Sequence, residues 1–440
     1  MLHTRKKIMC VILTLFFALS LSGSVADHYQ ELSSKGISSS MTITMNIPGE
    51  NAAEEGVNPI TGEKWHGMYH PIGVNIDSHP SALPHWGVSS ADIIYEMPIQ
   101  KDGSTRSYAL FMGEIPAYAG PVRSGRVPMG SLRELWGGAW VFYGWQTWHA
   151  ANNTVVDVED WALSLHKDAR QKGRWVFPFI EGTERNYANL FHRVKDRQHV
   201  APHNVQIDMK AVEKLFTSEP LMHPFLFTKD GLDRGDNVSE ITINYKTTRP
   251  AYISHYKYNK ATGLYDRYRN GEAYYDALNG MDTSFANVIV LRTDVSWYNG
   301  AAQRPVIQLV GQGTAEIFQN GKYIRGTWVR SHAVKADEVK SLPARMVFLD
   351  ENGDEIPMKV GKTFVQIVNN DQPVDVVSDV LLDGATPKTS PTPAPTKKPT
   401  PPPRPVRTRR PNNATPTPGI TSAPVQETEE ESDNDFNYGN

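Results

Sequence analysis

Short apolar runs separated by turn residues recur through the middle of the chain. Ile72-Gly73-Val74-Asn75-Ile76, Tyr108-Ala109-Leu110-Phe111-Met112, Ala139-Trp140-Val141-Phe142-Tyr143 and Asn287-Val288-Ile289-Val290-Leu291 are short, bounded by breakers and rich in β-branched and aromatic residues, which predicts strands. Residues 241–245, 306–310 and 363–367 carry the same pattern. Helical spacing is rarer. It marks 129–136, the stretch opened by Ser89-Ser90-Ala91-Asp92, and 208–215, where Asp208 is placed to cap. The prediction is a mixed α/β body dominated by sheet.

The two ends read differently from the body. Arg5, Lys6 and Lys7 precede an apolar run over 8–21 and the small residues Ser24-Val25-Ala26, the layout of a signal peptide cleaved after Ala26. The run is about 14 residues, short of the about 20 that span a bilayer as a helix, and no later stretch is long and apolar enough, so no transmembrane helix is expected in the mature chain. Residues 27–56 read as a flexible spacer. Residues 385–440 are Pro- and Thr-rich with a basic middle and an acidic end, a composition that buries little and predicts a disordered stalk. The single cysteine, Cys10, lies in the signal, so the exported body must hold together by core burial. A net charge of −3 gives no global pull towards nucleic acid, and none is expected as a partner.

Candidate chemistry concentrates in the first half. Arg106, Arg123 and Arg126 bring three permanent cations near Asp77, Asp92 and Glu96, and a guanidinium grips carboxylate or phosphate oxygens in a planar fork. Two arrangements are open: an anion site, or internal pairing of Arg106 and Arg123 with Glu96 and Asp92. His79 and His203 are the candidate proton-transfer groups. No Gly-x-Ser-x-Gly elbow occurs, and Ser124 lacks the strand-turn-helix setting of a nucleophile. His192, His199 and His203 have ligand-like spacing, but Pro202 breaks the helix that would align the last two, so no metal is expected, nor any cofactor. Trp136, Trp140, Phe142, Tyr143, Trp145 and Trp148 could stack on sugar rings, although core packing suits alternate strand residues better, as it does Trp297 and Trp328.

Several of these stretches carry a resemblance. Residues 71–80, 91–96, Thr105-Arg106, 120–126 and Ala201-Pro202-His203-Asn204, with Tyr265-Asp266-Arg267, Gly311-Gln312-Gly313, Asn320-Gly321-Lys322 and Gly326-Thr327-Trp328, resemble the YerB-like lipoproteins, a family with a domain of unknown function. The likeness covers nearly all of 57–370. It implies a layered α/β sandwich in an N-terminal module at 57–215 and a C-terminal module at 237–371, joined by a connector at 216–236, and implies no reaction. Two departures stand out. Many members carry a lipidated cysteine after the signal, where this chain reads Leu21-Ser22-Gly23-Ser24, and a His/Gly-rich turn of relatives here runs from Tyr143 to His149. Without a thiol no thioether-linked lipid forms. The expectation is an exported, envelope-associated, non-catalytic binding or regulatory protein, with Asp77, His79, Glu96, Arg106, Arg123, Arg126, His203 and Asn204 as ligand-site candidates. Peptidoglycan, anionic wall polymers or an envelope protein are the candidate partners. The alternatives are an acid/base hydrolase of a wall polymer and a glycan-binding module.

Overall fold

The structure, a computed structural model, describes residues 56–67, 69–145, 147–149, 155–157, 179–183, 187–196, 199–215, 225–245, 252–297, 304–330 and 346–377. The expected signal peptide, nearly all of the spacer and the Pro/Thr-rich tail lie outside them. In the first half the elements that matter are β1 (Ile72–Asp77), β2 (Ile93–Pro98), β3 (Thr105–Phe111), α1 (Val127–Trp136), β4 (Ala139–Phe142), β5 (Phe179–Glu181), β6 (Phe191–Arg193), β7 (Val205–Asp208) and α2 (Met209–Glu213). The second half contributes β8 (Glu240–Asn244), β9 (Ile253–Asn259), β10 (Leu264–Arg269), β11 (Asn287–Thr293), β12 (Gly311–Gln319), β13 (Lys322–Arg330), β14 (Thr363–Asn369) and β15 (Val374–Val377). Among the described residues α-helix is confined to α1 and α2, so the body is sheet-dominated, as expected, and the α/β part of the expectation is loose. No helix among them is long and apolar enough to cross a membrane.

The main sheet has 11 strands in the order Asp236–Asn237, β13, β12, β11, β14, β2, β3, β1, β4, β5, with Val347–Leu349 paired to β13. Every residue of β1, β2 and β3 is buried, because both faces are covered. Alternation sends Ile93, Tyr95, Tyr108 and Leu110 into one core with Met129, Leu132 and Trp136 of α1. Ile72, Val74, Ile94, Phe111 and Phe364 go into the other, with Tyr256, Tyr265 and Phe285 from the second sheet. That sheet is six-stranded, in the order Glu272–Ala273, β10, β9, β8, β15 with Ser284–Phe285 on β10.

Most of the expected elements form where the pattern places them, and Asp208 caps α2 by accepting from Ala211 N–H at 2.9 Å. The stretch after Ser89 does not become a helix. Val88–Ser90 is a single 3-10 turn, and the following residues enter β2, where β3 and β14 bond them on both sides. The strand expected over 306–310 is cut to Pro305–Ile307. The two expected modules share one sheet: β14, from the second, lies between β11 and β2 and runs parallel to both.

Candidate functional site

β1, β4 and β5 are parallel neighbours, so their carboxyl ends lie along one edge of the sheet, and α1 starts from the same edge. Open parallel α/β sheets bind ligands outside the carboxyl ends of their strands, and β1, β4 and β5 form a parallel stretch of this mixed sheet. β1 ends there at Asp77, opposite Arg106 of β3. The turn 120–126 runs beside it: Val122 bridges Ile76, and Arg123 N–H donates to the Asn75 carbonyl at 3.0 Å. Gly120 has φ 149°, and a Cβ on it would lie 2.6 Å from the Val205 carbonyl oxygen, so glycine alone permits this approach. Val122 N–H then donates to that carbonyl at 2.7 Å and draws the 199–205 segment against β1.

Asp77 is the hub. His203 Nδ1 lies 2.7 Å from its Oδ2, Arg123 Nε lies 3.2 Å from the same oxygen, and Oδ1 accepts the His79 N–H at 3.0 Å. Burial by itself would raise this carboxyl, but the hydrogen bond from His203 and the charges of Arg123 and Arg106 outweigh it and hold it well below the carboxylate range. The half-buried His79 ring stacks on His203, with centroids 4.1 Å apart and planes within 11°. Arg106 donates to the Ser124 carbonyl at 3.2 Å and Arg126 to the Gly125 carbonyl at 3.0 Å. Asn75 completes the frame, donating to Ser124 O at 3.0 Å and accepting from Trp140 Nε1 at 2.9 Å.

The arginines do not pair with Glu96 and Asp92. Register explains it: Glu96 stands opposite Ser107, one residue off Arg106, and therefore on the other face of the sheet. There Arg267 (2.9 Å) and Arg269 (3.6 Å) of β10 pair with it, and Thr105, Ser254 and Gln366 donate to it. Burial would raise its pKa, yet the charges of Arg267 and Arg269 bring it down to about 2. Asp92 accepts backbone N–H groups of Met112 and Gly113 and the Asn58 amide, and burial pushes it up to about 6. Asn204 closes the β6–β7 hairpin, accepting from Arg193 and donating to the Val194 carbonyl.

Asp77, His79, Arg106, Arg123 and His203 therefore come together, Arg126 lies on the same turn, and Glu96 belongs to a separate buried cluster. Sequence reasoning missed that Asn75 frames the site and that Arg267 and Arg269 serve Glu96. Their i, i+2 spacing on a strand was the available signal, since it puts both on one face. Of the aromatic cluster, Trp136, Trp140 and Phe142 are buried in the core, as is Trp328, whereas Tyr143, Trp145 and Trp297 are half-buried. The Trp148 and His149 side chains lie outside the described residues. No three-ligand metal cluster occurs among the described residues.

This fold and this edge define an interleaved two-segment sheet protein with an Asp-His-Arg centre at its strand ends. Residues 60–221 match the family "Protein of unknown function (DUF3048) N-terminal domain" and residues 241–365 its C-terminal domain, and the chain belongs to that family. "Putative lipoprotein YerB" of Bacillus subtilis (strain 168) is 24% identical over 313 residues, which cover 70% of this chain and 85% of that one. The crystal structure of YerB protein from Bacillus subtilis aligns with a TM-score of 0.57 at 23% identity over 73% of this chain and 99% of that one, a shared fold.

Proposed function

We propose that the chain is an exported, envelope-associated binding protein whose site at the carboxyl end of β1 takes the acidic group of a wall-polymer fragment. The observation that carries this reading is the convergence of Arg106, Arg123 and His203 on Asp77, beside the start of α1. One carboxylate there stands among two permanent cations and an imidazole, and the helix end adds positive potential. The signal peptide expected from the sequence and the relative named as a lipoprotein support the compartment. The mature protein should bind isolated cell walls in a salt-sensitive way, and Arg123→Lys should weaken that binding while leaving the fold intact, because it keeps charge and loses the fork. Sedimentation of protein with purified walls measures this; equal binding by both proteins, or none by the wild type, counts against the reading.

The Asp77–His203 hydrogen bond favours acid/base hydrolysis as a second reading, since a carboxylate that orients an imidazole is the arrangement of a general base. Chromatography of peptidoglycan after incubation with the protein separates the two: released fragments require the hydrolase.

A further inference from the structure

Two tautomers at this site are set by their partners. Asp77 is held ionised and can only accept, so the 2.7 Å contact requires a proton on His203 Nδ1, and the neutral form of the ring then carries its lone pair on Nε2. His79 is the reverse: its Nδ1 lies 3.1 Å from the Ser81 N–H, which can only donate, so the His79 proton sits on Nε2. The His203 ring cannot easily turn. Asp77 Oδ2 holds one edge, His79 stacks on its face, and Asp77 is itself fixed by Arg123 and the His79 N–H.

We propose that His203 Nε2 accepts a hydrogen bond from the ligand itself, so that the site takes acids bearing a neighbouring hydroxyl or amide N–H, the chemistry of sugar acids and N-acyl amino acids. This rests on the anion-binding reading above. In it Arg123 holds the acid group and His203, bonded to the same Asp77 oxygen, reads the group next to it. An acid without a neighbouring donor displaces solvent from Nε2 and leaves its lone pair unmatched, which costs affinity.

The ligand's own hydroxyls separate this role from a purely electrostatic one. Among the described residues His203 touches Asp77 of β1 and His79, while Arg106 of β3 and Arg123 of the turn act on the shared Asp77. If His203 served only as a positive charge, a ring acid would bind alike with or without hydroxyls. As an acceptor it favours the acid that can donate to it.

The test is calorimetric titration of the mature chain with D-glucuronate and with tetrahydropyran-2-carboxylate, a matched ring acid without hydroxyls. Glucuronate should bind about tenfold more tightly than the hydroxyl-free acid. His203→Phe, which removes the acceptor, should bind the two acids alike. Should that variant not fold, the wild-type comparison alone decides. Equal affinity of the wild type for the two acids, an unchanged preference in a folded His203→Phe, or no glucuronate binding at all would overturn the proposal. Wall binding that persists in any of these cases leaves the anion-binding reading standing and removes only the role given to His203.

Discussion

Arg123 and His203 share one oxygen of Asp77, so loss of either partner leaves the carboxylate under-compensated in a buried place. Arg123→Ala should cost about 3–5 kcal/mol, read from urea melts. Asp77 carries its own pH signature. Its native pKa lies below the unfolded value of about 3.9, so its stabilising contribution is full above that value and is lost as pH falls below it. Asp77→Asn should therefore be less stable than the wild type at neutral pH, with the gap closing below about pH 4. A gap that stays constant down to acid pH would show that the shift is not what stabilises the native state. His85 titrates in a different window. Its Nδ1 bonds the Tyr274 hydroxyl, and burial, with the Arg269 and Arg267 charges, pushes its pKa down to about 3. The unfolded imidazole takes up its proton near about 6.5 and the native one only far lower, so acidification through that window costs stability. Asp92 works in the opposite sense there, because a carboxyl raised to about 6 binds its proton first in the native state. The useful measurement is thus the difference between wild type and His85→Gln, which should narrow as pH falls from about 7 to about 4; a difference independent of pH in thermal melts would exclude a titrating role for His85.

At the scale of single elements, β1 shows what could and could not be read from the chain. Its apolar pattern identified it as a strand, and the Pro80, Gly120 and Pro121 breakers delimited the turns that feed the site. Pairing register was not legible. Whether Arg106 meets Asp77 or Glu96 depends on a one-residue offset between β3 and its two neighbours, and no local feature of 93–111 encodes that choice. The helix expected after Ser89 fails for a more local reason: Ile93, Ile94 and Tyr95 are strand formers and Pro98 breaks a helix, and two partners, one of them more than 250 residues away in sequence, fix β2 as a strand. Gly73 reports on the packing of this element directly. A Cβ there would lie 1.8 Å from the Tyr108 hydroxyl and 2.1 Å from its ring carbon, with the ring buried. Gly73→Ala should therefore lower stability by about 1–3 kcal/mol through overpacking, measured by chemical denaturation, and an unchanged midpoint would mean that Tyr108 moves freely.

For the molecule as a whole, the deciding fact is the place of β14. It bonds β2 on one side and β11 on the other, so the first half of the main sheet is completed by a strand from near the end of the body. Glu96 repeats the dependence in side chains: its cations Arg267 and Arg269, and its donors Ser254 and Gln366, all come from the second half. A protein made of residues 57–215 alone would expose one edge of β2, uncover the core face that packs on Tyr256, Tyr265 and Phe285, and bury or expose Glu96 without its partners. Each of these losses is large against a net stability of about 5–15 kcal/mol. We therefore expect 57–215 expressed alone to give a collapsed NMR amide spectrum, co-expression with residues 225–377 to restore a dispersed one, and the complete body to unfold in a single transition. Two resolved calorimetric transitions, or a well-dispersed spectrum from 57–215 alone, would show that the two segments fold independently and that β14 only docks onto a sheet already formed.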